Sequence, residues 1–270
     1  MNHRVGFFIT FQFLKPRSSK ILERIEDIYL NMQKDKNLKL RLIVVDLLKE
    51  LKNGFTYKEL SKIFNIQESL LCRYVNGSTI PSELHAKEIL DKIKSREFLT
   101  KFLIKKITVH EDGYVDTSGL LFYPNLLKIL IEIYYNKFFG NKEITKIVTV
   151  AVNGIPFATL AAEALSKPLI IVKKHKDSIY IDYIDESLKE TDGVITSIFL
   201  RSDYISKNDK VLLVDDVIRS GKTIFTAYKL IKKAGAYVIG ALVIASVGNE
   251  KSSYINSINN SILVKPIFIL

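Results

Sequence analysis

The chain has 270 residues, 47% of them hydrophobic and 26% charged, which is a globular balance with room for two modest domains or one large one and argues against disorder. Its one cysteine, Cys72, forms no internal disulfide, and with four scattered histidines (His3, His85, His110, His175) it offers no zinc spacing, so a structural metal is not expected and a reducing cytoplasm is. The net charge of +11 is uneven: residues 1–110 carry 21 Lys and Arg against 12 Asp and Glu (net +9), whereas residues 111–270 carry 19 against 17 (net +2). That excess suits a polyanion partner for the N-terminal part, although a generally lysine-rich composition would produce it too.

The first apolar run, Val5 to Leu14, follows a short basic start but spans only ten residues, lacks a small-residue cleavage site and is too short to cross a bilayer. It reads as a strand or a dimerisation arm, or as the result of a misassigned start, and no membrane association is expected. Ser18 to Lys34 places Ile21, Leu22, Ile25, Ile28, Tyr29 and Met32 at helical spacing. A second helix, LKLRLIVVDLLKELK, stops at Asn53-Gly54. The segment TYKELSKIF opens on a capping box, Thr56 to Glu59, and QESLLCRYV ends at Asn76-Gly77. One or two further helices follow Pro81.

Residues 56–81 thus read as two short helices around a tight turn at Phe64-Asn65-Ile66, with Leu60, Ile66, Leu71 and Tyr74 as a small core. Gln67, Glu68, Ser69, Cys72 and Arg73 then lie at the start or on the outer face of the second helix, where base edges are contacted in a helix-turn-helix. An ordinary helical cap uses the same turn chemistry. The run Leu60-Ser61, Ile66, Arg73-Tyr74, Asn76-Gly77 and Pro81 resembles the phage-repressor-like helix-turn-helix family, which implies double-stranded DNA as a partner.

The pattern changes near residue 107. A helix over YPNLLKILIEIYYNKFF has Pro124 at its start, and apolar strands then alternate with helical segments: KIVTVAV, IPFATLAAEALS, PLIIVKK, GVITSIFL, KVLLVDDV, GKTIFTAYKLIKKAG, YVIGALVIASV and SILVKPIFIL. This alternation predicts α/β architecture, a mostly parallel sheet covered on both faces. The expected organisation is an arm and helix over 1–37, an all-α helix-turn-helix domain over 38–106 and a ligand-binding α/β domain over 107–270.

The stretch VLLVDDVIRSGKT, Val211 to Thr223, ends like a Walker A phosphate loop, but that loop needs a glycine where Asp216 stands, and two acids would face the triphosphate. The triphosphate reading fails. What remains is an apolar strand delivering Asp215 and Asp216 at its carboxyl end. A short loop then opens a helix whose first N–H groups (Arg219 to Thr223), with the Ser220 and Thr223 hydroxyls, make an anion cradle. A phosphate in the cradle with vicinal hydroxyls on the carboxylates describes a ribose 5-phosphate.

These residues resemble the phosphoribosyl pyrophosphate (PRPP) motif of type I phosphoribosyltransferases. The resemblance implies that fold for the C-terminal domain and PRPP contacts from Asp215, Asp216, Arg219, Ser220, Gly221, Lys222 and Thr223, with Mg²⁺ carried in on PRPP. Val148 to Lys174 resembles the family's pyrophosphate loop and the strand after it, which implies pyrophosphate contacts from Ala151, Val152, Asn153 and Gly154. Lys173 and Lys174 stand where the family has Arg-Lys, and Lys lacks the bidentate fork of Arg. His175 to Ile195 would be the flexible loop, with no catalytic side chain identified, and the EDGYVDTSGLLFYP segment together with the last residues would form the hood over the base.

Two functions follow from the resemblance. A DNA-binding transcription regulator, acting as a homodimer and sensing PRPP or a nucleotide, is expected first, similar in architecture to purine-repressor-type and archaeal regulators. The alternative is an active phosphoribosyltransferase that uses a nucleobase, a purine before a pyrimidine, in nucleotide metabolism.

Overall fold

The computed structural model describes residues 37–140, 142–189, 195–247 and 260–270. The arm expected over Val5 to Leu14 and the helix expected over Ser18 to Lys34 lie outside the described residues. The chain divides into two compact units: described residues 37–49 with Thr56–Ile89, and Glu50–Phe55 with Leu90 onward.

The first unit is helical. It takes most of α1 (residues 37–52), α2 (Tyr57–Phe64), α3 (Glu68–Val75) and the first part of α4 (Glu83–Lys94). α2 starts where the sequence reading placed it: the Glu59 N–H donates to Thr56 Oγ1 at 3.2 Å, and the Thr56 N–H donates to Glu59 Oε2 at 2.7 Å. Asn65 ends α2 in the left-handed region (φ 57°), which turns the chain sharply into α3. Leu60, Ile66, Leu71 and Tyr74 are all buried, and the Tyr74 hydroxyl lies 3.0 Å from His85 Nδ1.

The second unit begins earlier than the break expected at 106/107, because α5 (Arg96–Leu103) carries an apolar face that packs there. Leu99, Phe102 and Leu103 are buried, and Phe102 meets Tyr123 edge-on at 5.0 Å. A hairpin of β1 (Thr108–Val109) and β2 (Val115–Asp116) follows, then α6 (Pro124–Phe139). From there β3 (Lys146–Val150), α7 (Ile155–Leu165), β4 (Leu169–Val172), β5 (Tyr183–Lys189), β6 (Ile195–Arg201), β7 (Lys210–Ile218), α8 (Lys222–Lys233), β8 (Tyr237–Ser246) and β9 (Leu263–Ile269) complete the fold.

Five strands form one parallel sheet in the order β4-β3-β7-β8-β9. Val211 and Leu213 of β7 pack with Ile224, Ala227, Leu230 and Ile231 of α8 on one face, and α6 and α7 lie in contact with the sheet as well. Burying each such aliphatic side chain stabilises the fold by about 1.5–3 kcal/mol. The α/β architecture expected from the alternating pattern is present, with one difference. β5 and β6 stand apart as an antiparallel ribbon, joined to the end of β4 through the Lys173–Phe199 bridge. The acidic stretch expected as part of a flexible loop is therefore a strand up to Lys189. Ile184 and Leu188 recur at the period of two and pack on the α8 side of the core, while Asp185 and Ser187 are exposed.

Candidate functional site

In the parallel sheet β3 leads to β4 on one side while β7 lies on the other, so the strand order reverses between β3 and β7. In open α/β sheets ligands bind beyond the carboxyl ends of strands at such a point. Here those ends carry the turn after β3 and the loop after β7, the two segments singled out in the sequence.

β7 runs through the acid pair to Ile218, with Asp215 opposite Val243 of β8. Arg219 and Ser220 are exposed, and Gly221 adopts φ 77°, a left-handed geometry that favours glycine and lets the chain reverse directly into α8. No side chain caps α8, and the Lys222 N–H donates to Ser220 Oγ at 3.4 Å. Asp215, Val217 to Thr223 and Ile224 line a cavity of about 210 Å³. This is smaller than the ~300 Å³ at which drug-sized pockets begin, so it suits one anionic group rather than a whole nucleotide. The positive end of α8 and the side chains of Arg219 and Lys222 set its polarity.

Asp215 and Asp216 are both half-buried, and the Asp216 N–H donates to Asp215 Oδ1 at 3.0 Å. Burial first, and the neighbouring Asp216 second, push the Asp215 carboxyl well above the usual carboxylate range. A group held this way gains most from a ligand that brings hydrogen-bond donors or positive charge.

Across from Asp215 lies the turn at 151–154. Gly154 is buried, and a Cβ there would meet Thr149 Oγ1 at 2.5 Å and Asp215 Oδ1 at 2.6 Å, so close approach of the two strand ends requires glycine. The Ala151–Val152 peptide is cis. Val152 and Asn153 are exposed at the tip. The Ala151 N–H, expected at the pyrophosphate, instead donates to the Val172 carbonyl at 2.8 Å and so continues the β3–β4 ladder. That donor is committed to the sheet.

Lys173 follows β4, and its Nζ donates to both carboxylate oxygens of Asp177, at 2.9 and 3.0 Å, while His175 Nε2 lies 3.5 Å from the same group. The hydrogen bond from Lys173 holds the Asp177 carboxyl below the usual range. Lys174 is exposed. The sequence reading missed Asp177 and Thr149. The signal for Thr149 was available, since it is the polar residue in the otherwise apolar run Ile147 to Val150. The signal for Asp177 was not, because its pairing depends on how the chain turns after β4.

In the first unit Gln67, Glu68, Ser69 and Arg73 are exposed on α3. Cys72 differs from them: it is half-buried, accepts from Asn76 Nδ2 at 3.3 Å and lies in hydrogen-bonding reach of the Tyr57 hydroxyl. Among the described residues no group of three or more His, Cys, Asp or Glu is placed to hold a metal, and no helix is long and apolar enough to cross a membrane.

A family model for the phosphoribosyl transferase domain matches residues 117–261. The chain belongs to the phosphoribosyl transferase domain family. Within it, a xanthine phosphoribosyltransferase of Streptococcus pyogenes serotype M5 (strain Manfredo) is 33% identical over 121 residues, covering 44% of this chain and 62% of that protein. The chain thus spans somewhat less than two thirds of the curated relatives it matches. Among solved structures, adenine phosphoribosyltransferase from Rhodothermus marinus superposes with a TM-score of 0.57 at 24% identity, over 64% of this chain and 99% of that one. The enzyme from Giardia lamblia, complexed with 9-deazaadenine, gives 0.56 at 18% identity over 63% and 97%. These likenesses place the second unit in the type I phosphoribosyltransferase fold. The family match begins at Thr117, after α1 to α5.

Proposed function

We propose that this chain is a phosphoribosyltransferase that moves ribose 5-phosphate from PRPP to a purine base and releases pyrophosphate. The observation that carries the reading is the Asp215–Asp216 pair near the carboxyl end of β7, with Asp215 lining the cavity that Gly221 and the first residues of α8 also line, and the Gly154 turn facing Asp215 at the strand-order reversal. The 5-phosphate would take the cradle, receiving N–H groups from the first turn of α8. The ribose diol would donate to the two carboxylates, and those bonds, being charge-assisted, would offset the unfavourable burial of Asp215.

In the reaction the bond from the anomeric carbon to the pyrophosphate oxygen breaks, and a bond from that carbon to a ring nitrogen of the base forms. Pyrophosphate leaves with the electron pair, and the proton of the base is released to solvent. Lys173 and Lys174 would stabilise it, and for Lys173 this means exchanging the Asp177 carboxylate for the product. Mg²⁺ takes oxygen ligands and keeps phosphate partners where it can. The carboxylates of Asp215 and Asp216 fit that donor set and would hold it jointly with PRPP, and the ion would supply positive charge to the pyrophosphate oxygens. A purine is preferred because the relatives act on xanthine and adenine by name. Calorimetric titration of PRPP with Mg²⁺ tests the site: saturable binding is expected in the wild type and at least a tenfold loss in Asp216→Asn, and equal binding in both would refute the assignment.

A second reading, regulation of transcription by a DNA-binding homodimer that senses PRPP or a nucleotide, draws on the first unit. Its support is the capped α2, left-handed Asn65 and α3 arrangement, with Gln67, Glu68, Ser69 and Arg73 exposed on α3. Arg73→Ala and Gln67→Ala should weaken retention of duplex DNA and leave PRPP affinity unchanged. Wild-type protein that fails to retain DNA at low salt removes this reading while the enzyme stands.

A further inference from the structure

Thr149 lies in β3 among Ile147, Val148 and Val150, all buried. It is itself 1% exposed, and its Oγ1 has no hydrogen-bond partner. An unpaired buried hydroxyl costs about 1–3 kcal/mol, and valine would fill the same volume without that cost. Its position gives the hydroxyl a use. The Cβ that Gly154 lacks would stand 2.5 Å from Thr149 Oγ1 and 2.6 Å from Asp215 Oδ1, so the two oxygens lie at most about 5.1 Å apart across the glycine. An O–H···O bond spans roughly 2.5–3.0 Å, so the two oxygens are near neighbours with only the glycine between them.

We infer that Thr149 is a positioning residue of the PRPP site, its hydroxyl donating to the Asp215 carboxylate in the liganded protein and holding it toward the ribose diol. The inference rests on the PRPP reading above. Three observations meet in it: a buried donor without a partner, a glycine that keeps the space between donor and acceptor narrow, and a carboxylate at the mouth of the cradle. The charged groups around Asp215 are Asp216 on its own strand, and Arg219 and Lys222, which line the same cavity. At this level β3, the 151–154 turn and β8 present no titratable side chain.

The test compares Thr149→Val and Thr149→Ser with wild type by titration of PRPP and Mg²⁺, together with thermal unfolding. Thr149→Val is expected to weaken PRPP about tenfold, the equivalent of one ordinary hydrogen bond. It should do so without lowering the melting temperature. Thr149→Ser keeps the hydroxyl and should bind as wild type does. Equal affinity in wild type and Thr149→Val would overturn the inference, and so would losses in both variants that track a fall in melting temperature. Wild type that binds no PRPP would instead remove the PRPP reading itself, and this inference with it.

Discussion

Gly154, in the turn after β3, and Asp215, within β7, stand so close that a Cβ on the glycine would fall 2.6 Å from Asp215 Oδ1 and 3.4 Å from its Cα. The site depends on this approach, because it sets the turn after β3 against the acid pair of β7. Gly154→Ala forces the Thr149 and Asp215 side chains to shift, and overpacking of this kind costs about 1–3 kcal/mol. Loss of PRPP binding by at least tenfold, with a lower melting temperature, is expected from calorimetry and thermal unfolding. An alanine variant with unchanged affinity would show that the two segments do not act together.

Lys173 meets Asp177 with both carboxylate oxygens in an exposed pair. If Lys173 serves the pyrophosphate, Asp177 competes with the ligand for it. Asp177→Asn should tighten pyrophosphate binding by up to about fivefold, the range of an exposed ion pair. Titration of pyrophosphate into both proteins checks this, and weaker binding in the variant would mean that Asp177 supports the site.

Asp209, just before β7, ties the amino ends of β3 and β7 together, at the opposite end of the strands from the site. It accepts from the Thr145 hydroxyl at 2.7 Å and from the Ser206 N–H at 2.7 Å, and it pairs with Lys146 at 3.0 Å. Burial alone would raise its carboxyl, but these bonds outweigh burial and hold it down to about 2. A carboxylate depressed on folding contributes stability that is complete above its unfolded value of 3.8 and is lost as pH falls through about 2. Asp209→Asn should therefore cost about 2 kcal/mol near neutral pH and flatten the acid side of the stability profile. Urea unfolding at several pH values measures both effects.

Glu50 supplies the acceptors that the start of α6 lacks, taking the Asn125 N–H at 2.9 Å and the Leu126 N–H at 3.0 Å. Pro124 begins the helix and no local side chain caps it. Burial raises the Glu50 carboxyl more than these bonds lower it, so its share of the stability is greatest at acid pH and declines as pH rises through the carboxylate range. Glu50→Ala leaves two donors unpaired and should destabilise the second unit by about 2 kcal/mol, read as a lower melting temperature.

Much of the site was legible in the sequence because its chemistry is local. The acid pair, Gly221 and the first turn of α8 are contiguous, and the Walker pattern failed at a single residue, Asp216. The helix limits at Thr56 and Asn65 were legible for the same reason. What could not be read depends on contacts distant in sequence. The Ala151 N–H is taken by Val172, twenty-one residues on, and α5 belongs with α6 through Phe102 and Tyr123. The β6 segment was legible as an apolar strand, but β5, and with it the antiparallel pairing, was hidden by acidic residues on its exposed face, although Ile184 and Leu188 kept the strand period.

The central claim is tested most directly by pyrophosphate release from PRPP and Mg²⁺ in the presence of xanthine, hypoxanthine, guanine or adenine in turn. The account predicts release with at least one of these purines, dependent on the base and abolished in Asp216→Asn. Wild-type protein that binds PRPP but releases no pyrophosphate with any nucleobase would contradict it.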